Sequence, residues 1–268
     1  MAVNELASGK LTLDEPAADV ARLTIRNEDK RGALDLEMLA AIADTVPGLE
    51  ARCLILTGTG RMFSSGYDIG NFENDERFSV DAEQLVAHPF SSAIEALEAF
   101  PYPILAALNG HAIGGGLEVA LTADIRLVVR GAKMGMPPAK ISLIYSHTGL
   151  RKFLETVGPA HTAELFHVGE NIDSDRAARI GLVNHVVDDE EELEERSLGM
   201  AGVIAANAPL SLAGNKRVIR SLLEAGARLD PELERELVEL RESCFRSEDF
   251  REGIAAFAEK RKPQWKGR

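Results

Sequence analysis

A glycine-rich turn followed by a single carboxylate is the feature of this sequence with the clearest chemical meaning. An apolar run ends at Leu108, three glycines occupy positions 114–116, and an apolar helical pattern then carries Glu118. The first backbone N–H groups of a helix have no partner within it and lie at the positive end of its dipole. Glu118 follows Gly115 by three residues and therefore lies on the same helical face. N–H donors beside a carboxylate suit chemistry that passes through an enolate.

Other interpretations of this turn stay open. Glycine triplets between a strand and a helix often serve only close packing, and a phosphate-binding loop is a further alternative. The sequence contains no G-x-x-x-x-G-K-[ST] motif, and no G-x-G-x-x-G motif opens this helix. Glu118 can equally be a structural carboxylate that is paired with a cation such as Arg151.

Composition narrows the classes of function. The chain has 268 residues, 45% of them hydrophobic, a net charge of −13 and two cysteines, Cys53 and Cys244. The acidity argues against nucleic-acid binding, and two cysteines argue against a disulfide framework. The six histidines show no metal-ligand spacing, and Ser64-Ser65-Gly66 is not the elbow of a serine hydrolase. We therefore expect no metal, no membrane span and a cytoplasmic protein.

Strand and helix patterns alternate on both sides of the turn. Three further strand patterns cover Val20 to Arg26, Cys53 to Thr57 and Ile125 to Val129. Residues 73–90 are charged and irregular, and we expect them to form a mobile cover. From residue 189 onward the pattern is almost wholly helical, with Asp230 as an N-cap. Alternating strands and helices predict an α/β protein with a largely parallel sheet, followed by a helical lobe.

Five stretches of the chain resemble the crotonase, or enoyl-CoA hydratase/isomerase, superfamily. They are residues 30–34, 63–69, 109–126, 177–183 and 252–263. The resemblance implies a crotonase-like spiral of ββα units with a C-terminal helical lobe. The implied division is a core with an acyl-CoA site at 1–195 and an oligomerisation lobe at 196–268.

The same resemblance implies what the protein binds. The substrate would be an acyl-CoA thioester, and no separate cofactor is expected because coenzyme A is part of the substrate. Neither nucleic acid nor membrane is an expected partner. The implied assembly is a homotrimer or a dimer of trimers.

The resemblance also implies roles for individual residues. The backbone N–H groups of Tyr67 and Gly115 would form the oxyanion hole that holds the thioester oxygen, and Glu118 would move a proton. Coenzyme A and its acyl group would run past Lys30, Ala33, Ser65, Asp68, Ile69 and Gly114. Lys260 would approach a CoA phosphate, in its own or an adjacent subunit. His147, which lies beside Tyr145 in the sequence, is a further candidate for lining the pocket.

One position departs from the hydratases of this superfamily. Those enzymes carry a second glutamate after a proline in the segment 134–138, where this chain has Pro138, which cannot titrate. Pro138 followed by Tyr145 is similar to the methylmalonyl-CoA decarboxylase branch. Loss of CO₂ generates an enolate directly, so no base is needed at the α-carbon. That branch has a histidine where this chain has Tyr67, a change expected to alter the shape of the pocket.

The sequence alone leaves alternatives to decarboxylation open. A hydratase or isomerase could work with the single carboxylate Glu118, and a thioester hydrolase could use it to orient water. Tyr145 is as compatible with packing as with orienting a leaving carboxylate or protonating a carbanion. An RNA-binding, non-catalytic member of the superfamily is disfavoured, because the predicted helix at 35–49 is acidic and has no lysine.

Overall fold

Two β-sheets form the centre of the molecule in the computed structural model, which describes residues 3–68, 89–226, 230–266 and 268. The strands are β1 (Asn4–Leu6), β2 (Leu11–Ala17), β3 (Val20–Ile25), β4 (Cys53–Gly58), β5 (Met62–Ser64), β6 (Ile104–Leu108), β7 (His111–Ile113), β8 (Ile125–Val129), β9 (Lys133–Gly135), β10 (Ile172–Asp173) and β11 (His185–Val187). The predicted cover at 73–90 lies outside the described residues as far as residue 88.

Most strands of both sheets run parallel. The large sheet has the order β1-β2-β3-β4-β6-β8-β11, and its strands from β3 onward are parallel neighbours. The small sheet has the order β10-β9-β7-β5, with β5, β7 and β9 parallel. Every residue of β6 is buried, as expected for a strand that is covered on both faces. The predicted α/β class with a largely parallel sheet is confirmed.

Successive strand pairs alternate between the two sheets. In the pairs β4–β5, β6–β7 and β8–β9, the first strand joins the large sheet and the second joins the small sheet. A helix follows each pair: α2 (Pro89–Ala99), α3 (Gly115–Leu121) and α4 (His147–Ala163), whereas α1 (Leu36–Thr45) precedes β4. This repetition is the predicted spiral of ββα units. It brings the loops after β5, β7 and β9 to one side of the molecule, where the candidate site lies.

Helix α4 contains a break that the sequence indicates. The pattern predicts separate helices at about 150–157 and 160–168, and the structure has a non-helical Gly158 (φ 74°, ψ 171°) before Pro159. A left-handed φ is accessible to glycine at little cost, and proline disrupts a helix interior. The chain then continues through a π-helical turn, Glu164–Val168, to α5 (Ser174–Arg179).

The described part of the C-terminal region contains four helices: α6 (Glu190–Ala206), α7 (Pro209–Gly226), α8 (Pro231–Phe245) and α9 (Glu248–Ala258). The carboxylate of Asp230 accepts a hydrogen bond from the Glu232 amide at 2.9 Å, which confirms the predicted N-cap of α8. Helix α6 packs against the large sheet through Leu193 and Ala201. Because α6 crosses the boundary between 195 and 196, the division into core and lobe stays a prediction.

The end of the lobe folds back over the segment that carries Tyr145. Cys244, Phe245 and Phe250 form a small buried cluster that also contacts Leu143. The Cys244 thiol donates a hydrogen bond to the Ser142 carbonyl at 2.7 Å. Helices α8 and α9 therefore help to fix the loop that leads into the site.

Some apolar side chains of the lobe are exposed in the single chain. On α7 they are Leu210, Val218, Ile219 and Leu222. The predicted trimer or dimer of trimers stays a prediction. Within the described part of the chain, no single helix is long and apolar enough to cross a membrane, although α6 and α7 together meet that test with a bend of 105° between them.

Candidate active site

The glycine turn has a backbone geometry that glycine alone adopts readily. Gly114 has φ 56° and ψ −127°, and α3 begins at the next residue. A Cβ atom at Gly116 would lie 2.4 Å from the Ser64 carbonyl oxygen, so any side chain there would force the turn away from β5. The turn is therefore both a packing device and a way of presenting the start of α3 to the loop after β5.

The two predicted donor amides belong to neighbouring segments. A Cβ atom at Gly66 would lie 2.8 Å from the Gly115 nitrogen, so the chain at 66–67 approaches the start of α3 closely. The backbone of Leu34 pairs with this segment. Its N–H donates to the Gly66 carbonyl at 2.8 Å, and its carbonyl accepts from the Asp68 N–H at 3.1 Å. Among the described residues, no acceptor is found for the amide of Tyr67 or of Gly115. The two N–H groups are thus left without a backbone acceptor, as an oxyanion hole requires, and their role as donors stays a prediction.

Two cavities adjoin each other at Tyr67, next to the glycine turn. The first, here named the apolar cleft, has a volume of about 520 Å³ and is lined by residues that include Ile113, Gly114, Gly115, Met136, Pro138, Phe245 and Phe257. The second, the charged cavity, has about 230 Å³ and is lined by residues that include Glu95, Glu98, Glu118, Arg151, Lys152 and Arg241. Tyr67, Leu143 and Tyr145 line both, so these side chains form the wall between them.

Glu118 and Tyr145 form a direct pair in this wall. The Tyr145 hydroxyl donates a hydrogen bond to Glu118 Oε2, and the Glu118 residue is only 4% exposed. Burial raises the pKa of Glu118 to about 7, and the bond from Tyr145 and the charge of Lys152 offset only part of that effect. Near neutral pH the carboxyl group is therefore divided between its acid and its anion, as a group that both gives and takes a proton must be.

The structural alternative for Glu118 is not supported in its original form. Arg151 was the candidate partner, but its nearest carboxylate is Glu155, at 3.5 Å. The partner of Glu118 is the neutral hydroxyl of Tyr145. A carboxylate that only anchored a helix would be expected to form an ion pair and to have a low pKa. Among the described residues Glu118 has no cation within 4.0 Å, since the nearby Lys152 pairs with Glu98, and its pKa is raised.

The raised pKa of Glu118 predicts a stability effect with a definite sign. The pKa rises from 4.5 in the unfolded chain to about 7 on folding, so the buried carboxyl loses stabilising effect as pH rises through this interval. Glu118→Gln cannot ionise. We therefore expect the unfolding free energy of Glu118→Gln minus that of wild type to increase by about 3 kcal/mol as pH rises from ~4 to ~8. Urea unfolding of both proteins across this range measures the difference. A difference that does not change with pH would contradict the buried, titrating carboxyl.

The two tyrosines of the wall are coupled to each other and to Glu118. Burial and the charge of Glu118 raise the pKa of both Tyr67 and Tyr145 well above the usual range, so both hydroxyls keep their protons. A Cβ atom at Gly149 would lie 2.6 Å from Tyr145 Cε1 and 2.9 Å from Glu118 Oε1. The first turn of α4 thus leaves room for this pair only because residue 149 is glycine. The sequence predicts a backbone donor and an altered pocket shape at Tyr67, and the structure places the Tyr67 side chain in the wall between the two cavities.

Pro138 is the position at which the resemblance to hydratases would place a second glutamate. It is buried and lines the apolar cleft together with Gly115 and Tyr145. The position therefore faces the site but offers no titratable group. Among the carboxylates that line the two cavities, Glu118 is the one that is hydrogen-bonded to Tyr145 in the wall between them.

The predicted CoA-contacting residues lie partly together. The Lys30 ammonium and the Asp68 carboxylate form an ion pair at 2.5 Å, Ser65 and Gly114 line the apolar cleft, and Ala33 is buried next to this segment. Their contact with CoA stays a prediction. Ile69 lies outside the described residues.

Two predicted residues lie away from the cavity walls. His147 Nε2 is 3.6 Å from a Glu234 carboxylate oxygen of α8, and His147 is not among the residues that line either cavity. Lys260 is exposed. It follows by three residues Phe257, which lines the apolar cleft. Both assignments stay predictions.

Sequence reasoning missed several charged residues of the site. Lys133 and Lys140 line the apolar cleft, and Arg241 lines the charged cavity, where Arg151, considered from the sequence only as a partner of Glu118, also lies. Lys133 is the first residue of a three-residue strand, and Arg241 lies in the lobe, far from Glu118 in the chain. No local pattern indicates that these side chains converge.

Comparisons with known proteins agree with this geometry. The family model for enoyl-CoA hydratase/isomerase matches residues 15–268. A probable enoyl-CoA hydratase of Bacillus subtilis is 35% identical over 92% of this chain and 95% of its own length. The methylmalonyl-CoA decarboxylase of Escherichia coli is 32% identical over 81% of this chain and 82% of its own length. A solved methylmalonyl-CoA decarboxylase in complex with 2-nitronate-propionyl-CoA superposes with a TM-score of 0.87 at 27% identity, covering 97% of this chain and 99% of that one.

These matches confirm the resemblance to the crotonase superfamily and to its methylmalonyl-CoA decarboxylase-like branch. The matched relatives are named as hydratases and as a decarboxylase, so the matches establish the family and leave the reaction of this chain open. The matched region contains the glycine turn, Glu118 and both tyrosines of the wall. This chain is a member of the enoyl-CoA hydratase/isomerase family.

Proposed function

We propose that this protein is an acyl-CoA lyase that removes CO₂ from a short malonyl-type thioester, as a methylmalonyl-CoA decarboxylase does. The observation that carries the proposal is the buried pair of Glu118 and Tyr145 in a site whose other candidate acid/base position is Pro138. A single carboxyl that stays partly protonated fits a reaction that ends by protonating an enolate. It does not fit one that starts by removing an α-proton with a second base.

The proposed reaction balances with the groups at hand. The CoA arm would lie in the apolar cleft, and the acyl group would pass between Tyr67 and Tyr145 toward the charged cavity. When the bond to the carboxylate breaks, its electron pair enters the thioester and the carbonyl oxygen becomes the enolate oxygen. The amides of Tyr67 and Gly115 stabilise that oxygen.

The same pair completes the reaction. Tyr145 gives its proton to the α-carbon and receives another from Glu118, which is reprotonated from solvent. The net change converts one acyl-CoA carboxylate and one proton from solvent into CO₂ and a saturated acyl-CoA. A neutral or hydrogen-bonded Glu118 also avoids repulsion of the substrate's own carboxylate.

Hydration remains the second candidate. The pKa of about 7 leaves a share of Glu118 ionised near neutral pH, and a carboxylate in that state can activate water. A relative named as a probable enoyl-CoA hydratase is 35% identical to this chain. Hydrolysis of the thioester with water oriented by Glu118 would need the same ionised form.

Product analysis separates these reactions. We expect incubation with methylmalonyl-CoA to give propionyl-CoA and CO₂, and incubation with crotonyl-CoA to give no hydroxyacyl-CoA above the rate in buffer; mass spectrometry identifies each product. Hydroxybutyryl-CoA from crotonyl-CoA, without CO₂ from methylmalonyl-CoA, would reassign the protein as a hydratase. Free CoA as the main product would reassign it as a thioesterase.

A further inference from the structure

Two arginines line the charged cavity without a full set of hydrogen-bond partners. Arg151 comes from the first turns of α4, and Arg241 comes from α8 in the C-terminal region. The Nε atom of each is buried and has no hydrogen-bond partner among the described residues. Neither guanidinium donates a hydrogen bond within the described part of the chain, and unsatisfied donors are costly. An occupant of the cavity that offers acceptor oxygens to their Nη groups would therefore be stabilised there.

The acidic groups of the same cavity do not satisfy Arg241. Glu98 is paired with Lys152, and Glu118 is held by the Tyr145 hydroxyl. Arg151 has Glu155 at 3.5 Å. Within the part of the chain that the structure describes, no carboxylate, that of Glu95 included, lies within 4.0 Å of the Arg241 guanidinium.

The position of Arg241 relative to the wall is also informative. Burial and the charge of Glu118 raise the pKa of Tyr67, and the charge of Arg241 acts on it in the opposite direction. Arg241 and Tyr67 also line the same cavity, which is the one the acyl group enters in the proposed reaction. An anion held by Arg241 would therefore lie on the acyl side of the wall.

We propose that Arg241, together with Arg151 of the same cavity, is the specificity-determining site for a carboxylate on the α-carbon of the acyl group. This inference rests on the proposed function, because it takes the charged cavity as the acyl site. A planar guanidinium matches a carboxylate in a two-point hydrogen-bonded pair, and a neutral acyl group would leave its donors unsatisfied. Arg241 thus selects malonyl-type thioesters over neutral ones of the same shape.

This role has a kinetic signature that differs from catalysis. The pair with Arg241 forms in the ground state and is lost as the carboxylate becomes neutral CO₂, so it supplies affinity and no acceleration of the chemical step. Removing the guanidinium should raise KM for a malonyl-type substrate without lowering kcat to a similar extent. A residue with a purely structural role would instead change the affinity for charged and neutral ligands alike.

The test uses ligands that cannot react. The probes are two CoA thioethers, 2-carboxypropyl-CoA and its neutral counterpart isobutyl-CoA, with Kd measured by titration calorimetry. We expect wild type to bind the charged thioether about 10-fold to 100-fold more tightly than the neutral one. Arg241→Met should remove this preference while leaving the Kd for isobutyl-CoA near the wild-type value.

A matched control is available on the same helix. Arg235 is exposed on α8 and pairs at the surface with Glu232 at 3.7 Å, so Arg235→Met should keep the preference. If Arg241→Met fails to fold, Arg241→Gln serves the same purpose.

Equal binding of both thioethers by wild type would overturn the anion site, as would an unchanged preference in a folded Arg241 variant. Preference for 3-carboxypropyl-CoA alone would overturn the placement at the α-carbon. Because neither probe reacts, these outcomes are independent of whether methylmalonyl-CoA is decarboxylated.

Discussion

Gly115→Pro is expected to lower kcat for decarboxylation by about 100-fold to 1,000-fold, because it deletes one of the two proposed oxyanion donors. Position 115 is the first residue of α3, where proline is tolerated because its missing N–H has no partner within the helix. The loss should therefore appear in turnover while the variant still unfolds cooperatively on heating. Steady-state kinetics with methylmalonyl-CoA, together with thermal unfolding, measures both quantities.

Gly115→Ala is the matched control for this substitution. It keeps the N–H and adds the same first carbon atom, which would lie 3.2 Å from Tyr67 Cε2 and 3.4 Å from Phe90 Cε2. These neighbours are side-chain atoms that can shift by a few tenths of an ångström, so we expect a loss of less than about tenfold. If the alanine and proline variants lose the same activity, crowding of Tyr67 explains both and the amide of residue 115 is not a donor.

Glu118→Gln is expected to lower kcat by about 100-fold or more, because the amide cannot pass a proton to Tyr145. The affinity for an unreactive acyl-CoA analogue should stay near the wild-type value, since Gln keeps the shape of Glu and can accept the bond from Tyr145. Single-turnover measurements separate the chemical step from binding. An unchanged rate would remove Glu118 from the mechanism.

The Tyr145 hydroxyl provides a second test of the same pair. Tyr145→Phe should cause a loss similar to that of Glu118→Gln, and the double variant should lose little more than either single one, because the two groups deliver one proton as a unit. The Glu164→Gln variant is a control for the amide substitution, as Glu164 pairs with Arg176 outside both cavities. Losses that multiply in the double variant would mean that the two groups act separately.

The central part of the fold could be predicted because its signals are local. The buried strand Ile104–Leu108, the glycine turn and the helix that carries Glu118 follow one another within a short stretch, and each has a pattern of its own. The N-cap of α8 at Asp230 and the break in α4 at Gly158 are of the same kind. Such features depend on the conformational preferences of single residues, so tertiary contacts do not need to be known.

The parts that could not be predicted depend on contacts between distant segments. Strands β5, β7 and β9 have three residues each, too few to show an alternating pattern, although they form the sheet that supports the site. The N-terminal strands β1 and β2 were also missed. Arg241 reaches the charged cavity only because α8 folds back onto the loop at 142–146. The sequence contains no indication of which face of α8 makes that contact.

The origin of the α-hydrogen in the product tests the central claim most directly. Wild-type protein would be incubated with methylmalonyl-CoA in D₂O, and the propionyl-CoA analysed by mass spectrometry together with the CO₂ released. An enolate that is formed by loss of CO₂ and protonated by exchangeable groups must yield propionyl-CoA with one deuterium at the α-carbon for each CO₂. Release of CO₂ without deuterium in the product, or no CO₂ above the rate in buffer, would contradict the account.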